Sequence, residues 1–331
     1  MSVTTTSSQT RGTEPPLLVL SSSPHIHSPL TAERAMYTVL ATLLPVAGVS
    51  VYIFGWRVLP IVLTSVVSAL IAEGVAQWAR RRSPWRSLKD GSAILTGLLL
   101  ALTLPASTPL WVAALGSTVA ILLGKQAFGG LGHNVFNPAL VGRVFLLVTF
   151  PQLLSDFSGS VRMVDTVTTA TPLAAVAQGQ TVPSYLELLA GYRAGALGET
   201  AAVALLLGGL ILIAFRIINW RIPFGILATV AIFAWAAGQD PLFHLLSGGL
   251  ILGAFYMATD WVTSPLTRLG SWIYAVGIGL ITMVIRLWGS YPEGVSFAIL
   301  FMNMCTPLIN RYTLPRPIRA SDVSEEVSAR A

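Results

Sequence analysis

Asp165-Thr-Val-Thr-Thr-Ala-Thr171 gathers four threonine hydroxyls and a carboxylate into one short polar run, followed by Pro172 and Leu173. A threonine hydroxyl can bear a phosphodiester, but it is a poor nucleophile unaided. A covalent group there needs an outside catalyst. Thr168, Thr169 and Ala170 are small enough to give such a catalyst access, and Pro172 fixes the chain just after Thr171. Hydroxyl residues also dominate ordinary loops, so spacing alone fits a plain Thr-rich loop as well.

Three further stretches combine polar groups with an apolar setting. Phe128-Gly-Gly-Leu-Gly-His-Asn-Val-Phe-Asn-Pro-Ala-Leu-Val-Gly-Arg143 brings three glycines that permit tight turns and close ligand approach. No strand precedes them and their spacing is wrong for a dinucleotide fingerprint. Asn134 and Asn137 are candidate caps for a helix start. Arg143 lies about two turns into a hydrophobic segment, where a charge is costly and has a partner or a function. A ligand phosphate, a buried carboxylate and a structural ion pair all remain open. The other two stretches run from Tyr256 through Asp260 to Thr267 and from Ile285 through Arg286 and Glu293 to Phe297. With Glu73, the residues Asp260, Arg286 and Glu293 are the remaining charges near or within spans. Acidic groups so placed bind Na+, relay protons or hold helices together, and the sequence does not choose.

The elements that must position these groups are membrane spans. The chain has 331 residues, 54% hydrophobic and 10% charged, where soluble domains carry about 25% charged residues. Its mean hydropathy is +0.72. The net charge of +6 comes from basic residues in short loops, which excludes a nucleic-acid patch and fits membrane orientation. The single cysteine, Cys305, supports neither an internal disulfide nor an iron–sulfur cluster from this chain alone. His25, His27, His133 and His244 have no zinc-type spacing.

Residues 1–35 read as a flexible cytoplasmic tail without a signal-peptide pattern, with Leu17–Leu20 touching the membrane surface. Ten hydrophobic segments follow, at 36–55, 58–78, 91–105, 109–127, 135–150, 198–215, 222–238, 241–258, 270–288 and 293–310. Spanning takes about 20 residues, so 91–105 and 135–150 are short. Gly97, Pro105, Pro138 and Gly142 suggest discontinuous helices, which often line sites. Arg80, Arg81, Arg82, Arg86 and Lys89 place the loop after the second span in the cytoplasm. Lys125, Arg216, Arg221, Arg268, Arg311, Arg316 and Arg319 then fall on the same side, and Arg57, Arg162 and Arg193 outside. This leaves 36–150 and 198–311 as two five-helix halves, 151–197 as an extracytoplasmic loop with Thr171, and 312–331 as a cytoplasmic tail. Gly97 to Leu110 also aligns with Gly253 to Leu266, matching at Gly, Thr, Pro and Leu. That offset maps span three onto span eight, and five spans per half make the two copies inverted.

The combination of Gly129-Gly-Leu-Gly-His-Asn-Val-Phe-Asn-Pro-Ala-Leu140, Ala258-Thr-Asp260, Tyr291-Pro-Glu-Gly-Val-Ser-Phe297 and Ser22-Ser-Pro-His-Ile26 resembles the D subunit of the Rnf ion-translocating electron-transport complex. The B subunit of the Na+-pumping NADH:quinone oxidoreductase shares the first three. The resemblance runs from about residue 20 to 318. It implies an all-α fold of ten transmembrane helices in two inverted repeats, similar to urea transporters, in the bacterial inner membrane. It implies FMN esterified to Thr171 by a flavin transferase, within a site including Asp165, Thr168, Thr169, Ala170, Asn137 and Arg143, and allows a second, non-covalent flavin. The partners it implies are an iron–sulfur-bearing membrane pair, a second FMN-bearing subunit and a cytoplasmic flavin and iron–sulfur subunit. The family pattern before the acceptor is Ser-Gly-Ala-Thr. Here Thr168 keeps the hydroxyl, while Thr169 puts a β-branched side chain where glycine would tolerate positive φ.

Two function classes follow. In the first, the chain passes electrons near the outer face while Na+ or H+ is translocated. The flavin does the redox chemistry and the protein supplies position and electrostatics. In the second, the same inverted-repeat architecture passes a small solute and has no use for the Thr171 run. Fold alone does not separate them.

Overall fold

The computed structural model describes residues 31–157, 171–177, 184–191, 195–289 and 294–315. From Ala32 on, the described residues form one compact unit. Of the expected tails, 1–35 and 312–331, residues 1–30 and 316–331 lie outside the described residues, and helix already begins at Ala32 and, at the other end, runs to Thr313. Among those described there are helices and turns but no strand.

The helices are α1 (Ala32–Phe54), α2 (Val58–Ala79), α3 (Pro84–Lys89), α4 (Ser92–Thr103), α5 (Leu110–Leu122), α6 (Pro138–Thr149), α7 (Pro151–Ser155), α8 (Pro172–Ala177), α9 (Tyr185–Ala190), α10 (Ala202–Ala214), α11 (Arg221–Ala236), α12 (Pro241–Leu246), α13 (Leu250–Leu252), α14 (Arg268–Trp288) and α15 (Val295–Thr313). A five-residue π-helix, Gly253–Met257, continues α13. Each of the ten hydrophobic segments coincides with a helix or a chain of short helices. The 151–197 loop carries α7, α8 and α9 among its described residues.

The helices are inside out by soluble-protein standards. Along α2, Leu59, Leu63, Val67, Ile71 and Val75 are exposed at helical spacing, while Ser65, Glu73 and Gln77 are buried. An apolar stripe facing outward over a polar interior fits lipid as the surrounding solvent. Among the described residues, four helices are long and apolar enough to cross a bilayer: Ala32–Phe54, Val58–Ala79, Leu110–Phe128 and Arg268–Trp288. This is a multi-pass membrane protein.

The short elements have local causes. α4 has 12 residues, which is ~18 Å against a ~30 Å hydrocarbon core. It stops because Leu104, held extended before Pro105, cannot continue a helix. α6 starts where Asn137 caps it and Pro138 takes its first position. The 241–258 segment is the most broken of the ten. It divides into α12, a turn with positive φ at Gly248 and Gly249, α13 and the π-helix. Gly97 and Gly142 break nothing, contrary to the sequence expectation. Both lie inside continuous helices and serve close crossings. A Cβ on Gly97 would sit 2.8 Å from the Ser65 carbonyl of α2, and one on Gly142 2.6 Å from the Gly116 carbonyl of α5.

Helix pairs recur along the chain. α2 packs on α4 and α5, α5 on α6, α11 on α14, and α14 on α15. α1 packs against α10.

Candidate functional site

Two cavities lie at opposite ends of α4. The larger encloses about 770 Å³ of space, partly open, and meets the N-terminal end of α4 at Ser92, Leu95 and Thr96. Asn134 and Asn137 enter it from before α6, and Tyr256, Asp260 and Trp261 from the end of the π-helix and the turn beyond. The smaller encloses about 310 Å³ and meets the C-terminal end of α4 at Thr103. Arg143, Glu199, Gly249, Met257 and Ser296 are among its other walls.

α6 ties the two broken helices together. Asn137 accepts the N–H groups of Ala139 (3.0 Å) and Leu140 (3.4 Å) on Oδ1 and donates from Nδ2 to the Met257 carbonyl at 3.0 Å. One side chain thus caps α6 and satisfies the end of the π-helix. Two turns on, the Arg143 guanidinium donates to the Thr103 carbonyl, the last residue of α4. Arg143 therefore counts a backbone carbonyl among its partners, which the sequence did not suggest. Asn134 does not cap α6. Its Nδ2 donates to Phe136 O at 3.2 Å, while its buried Oδ1 has no hydrogen bond within the protein.

In the wall of the large cavity, which Lys125 lines, sits a buried ion pair. Glu73 is 0% exposed and Lys125 1%, and Lys125 Nζ meets Glu73 Oε1 at 3.0 Å. Lys125 also donates to Ser92 Oγ at 2.7 Å, and Ser87 donates to Glu73 Oε1. This corrects the reading of Lys125 as a loop cation. Its charge is spent on Glu73 and does not report orientation. Arg80 anchors the same corner by donating to the side chain and carbonyl of Gln126.

Asp260 lines the large cavity, where Oδ1 accepts from Val262 N–H at 3.5 Å and Oδ2 from Thr263 Oγ1 at 3.3 Å. Arg286, in the last turn of α14, donates to the carbonyls of His244 (2.6 Å) and Ser247 (2.7 Å), closing the end of α12. A Cβ on the adjacent Gly248 would touch Leu173 at 2.4 Å and Arg286 Nη2 at 3.0 Å, so the chain just after Thr171 comes down beside Arg286. Leu173, Leu188 and Phe243 pack there as a small apolar cluster joining α8, α9 and α12.

Thr171 itself is 4% exposed. Its Oγ1 accepts the Ala174 N–H at 3.3 Å at the start of α8. The expected accessible hydroxyl is thus covered. Asp165, Thr168, Thr169, Ala170 and Glu293 lie outside the described residues. Nearby, Tyr185 on α9 donates to Asp240 Oδ2 at 2.6 Å, which pushes the phenol above its usual range.

The structure thus joins Asn137, Arg143 and Asp260 around the cavities. It sets Glu73 on Lys125, which lines the large cavity, and Leu173, two residues after Thr171, beside Arg286. Sequence reasoning missed Lys125, Ser87, Ser92 and Glu199 as partners of this core. Lys125 ends an otherwise apolar run, a signal that it could have been buried, but nothing local names Glu73.

Comparison with known proteins agrees over nearly the full length. Residues 19–319 match the model of the NQR2, RnfD, RnfE family. The chain is 47% identical over 316 residues to the D subunit of the Na(+)-translocating ferredoxin:NAD(+) oxidoreductase complex of Acetobacterium woodii, covering 94% of this chain and 98% of that one. It is 42% identical over 317 residues to the proton-translocating counterpart of Clostridium ljungdahlii, covering 90% and 95%. It is also 42% identical over 326 residues to the D subunit of the ion-translocating oxidoreductase complex of Stutzerimonas stutzeri, covering 86% and 92%. Spans, broken helices and asparagine-capped α6 therefore belong to a chain that is a member of the NQR2, RnfD, RnfE family, on the side of the Rnf D subunits.

Proposed function

We propose that this chain is the membrane electron-transfer subunit of an Rnf-type complex that couples redox chemistry to Na+ or H+ translocation, with FMN esterified to Thr171. The carrying observation is the near-complete match to relatives named as D subunits of ion-translocating ferredoxin:NAD(+) oxidoreductases. Its partners are an iron–sulfur-bearing membrane pair, a second FMN-bearing subunit and a cytoplasmic flavin and iron–sulfur subunit, with a flavin transferase for maturation.

The hydrogen bonding of Thr171 is compatible with a phosphoester there, once the covered hydroxyl is exposed. Oγ1 acts as an acceptor toward Ala174, so an ester oxygen in its place keeps the cap. When bound, the flavin supplies the electron-carrying ring system. The chain's own contribution is to anchor the segment just after its acceptor, through Leu173, beside Arg286 and the Gly248 turn. For a second, non-covalent flavin the large cavity fits best. Aromatic and aliphatic walls meet a few polar groups there, and Asn134 Oδ1 is left to accept from a ligand.

The ten-span inverted repeat is supported by element order. A shift near 156 residues carries α2, α3, α4, α5 and α6 onto α11, α12, α13 with the π-helix, α14 and α15. α4 starts at the large cavity and ends at the small one, and α13 with the π-helix does the reverse, which is how inverted copies sit. Exposed tryptophans mark both boundaries: Trp56, Trp111, Trp235 and Trp288 at helix ends on one side, Trp78, Trp85 and Trp220 on the other. With the Arg80–Arg82 run cytoplasmic, the termini are cytoplasmic and Thr171 faces outward.

The test is the intact mass of the chain co-expressed with an active flavin transferase. A gain of one FMN residue, absent from Thr171→Ala, is expected. Unmodified protein alongside a modified control substrate would refute the Thr171 assignment.

A further inference from the structure

Three elements, α4, α6 and α13 with the π-helix, run between the large cavity and the small one. On α6, Ala139 lines the first and Arg143 the second; on α4, Leu99 and Thr103 do the same. Four residues of helix are about 6 Å, so a single turn separates two spaces that approach from opposite ends. Leu100 and Leu140 fill that turn, at 0% and 1% exposure. Two hydrogen bonds close it, Asn137 to the Met257 carbonyl and Arg143 to the Thr103 carbonyl.

Both acceptors are the carboxyl ends of broken helices. Such ends carry partial negative charge, and transporters use them to coordinate a passing cation. Here an amide occupies one and a guanidinium the other. Arginine presents a delocalised, forked cation, and a fixed arginine in a pore excludes cations. Glu199 lines the same small cavity and brings an opposite charge to it, so the barrier lies in where the guanidinium sits and not in a net positive field.

We propose that this one-turn septum is a cation seal at the centre of the subunit, with Arg143 and Asn137 holding it closed, and that the ion moved by the complex crosses elsewhere. The seal stands on the geometry alone. Only the clause about the translocated ion rests on the Rnf reading.

The first arm of the test uses the whole complex in right-side-out and inverted vesicles, with Cys305→Ser as background. Thr96→Cys reports the large cavity and Ser296→Cys the small one. A positively charged methanethiosulfonate is expected to label the first from one face only and the second from the opposite face only. Labelling of either from both faces overturns the seal. In the second arm, passive Na+ and H+ flux is measured in proteoliposomes. Arg143→Met is expected to raise the leak on the order of 10-fold, because the excluding charge is gone. Leu140→Ala, which thins the apolar layer, is expected to act in the same direction and stands in if Arg143→Met does not assemble. Assembled variants as tight as the unsubstituted complex overturn the proposal. Thr171 and its mass are untouched by either arm, so a failed seal and a failed flavin assignment give different results.

Discussion

Asn137 donates to the carbonyl of Met257 at 3.0 Å while its own oxygen caps α6. Losing the cap costs about 1 kcal/mol, and orphaning the buried carbonyl costs about 1–3 kcal/mol more. Both Asn137→Ala and Asn137→Ser orphan the carbonyl, but serine keeps a capping oxygen, so Asn137→Ala should be less stable than Asn137→Ser by about 1 kcal/mol. Thermal unfolding of both variants in detergent checks the order.

Glu73 and Lys125 should behave as one unit. Removing either partner of a buried pair leaves an uncompensated charge and costs about 3–5 kcal/mol, while replacing both is often near neutral. Lys125→Met alone should lower the melting temperature strongly, and Glu73→Gln with Lys125→Met should recover most of it. A double variant no better than the single one would show that the two side chains act independently.

Thr171 is covered because Leu173 pins α8 against Leu188 and Phe243. If the transferase must uncover the hydroxyl, then Leu173→Ala should speed flavin attachment to the folded chain. A time course of mass gain measures this. An unchanged rate would place attachment before α8 packs.

The Tyr185–Asp240 bond has a defined pH window. The phenol's folded pKa is raised above its unfolded value near 10. Its contribution is therefore present below that value and fades as pH rises through the folded one. Tyr185→Phe should leave stability at pH 7 nearly unchanged, because the pair is exposed. It should remove one late-titrating phenol from the alkaline absorbance curve.

Gly142 leaves no room for a side chain, since its Cβ would strike the Gly116 carbonyl at 2.6 Å. Gly142→Ala should cost about 1–3 kcal/mol by overpacking, whereas Ala at the open Gly74 of α2 should not. Unfolding midpoints of the two variants compare them.

Much of this layout is legible in the residues. The ten apolar runs, the stop before Pro105 and the start at Asn137-Pro138 follow from local rules, because hydropathy and helix ends are local properties. Gly97 and Gly142 mislead for the same reason. A glycine that breaks a helix and one that admits a neighbour look alike until the neighbour is known. Lys125 and Glu73 lie 52 residues apart, and no short-range pattern connects them. Arg143 is recognisable as a costly charge, but it donates to a backbone carbonyl, which no side-chain pattern advertises.

The two stitches across the α6 turn are made at very different moments of synthesis. Thr103 and Arg143 are 40 residues apart, so that bond is available as soon as the first helices have entered the membrane. Asn137 must wait for Met257, 120 residues later. At about 5–20 residues per second, the nascent chain carries a half-closed centre for roughly 6–24 s. Its arginine is already in place, and its asparagine still searches for the stretch of backbone it will hold.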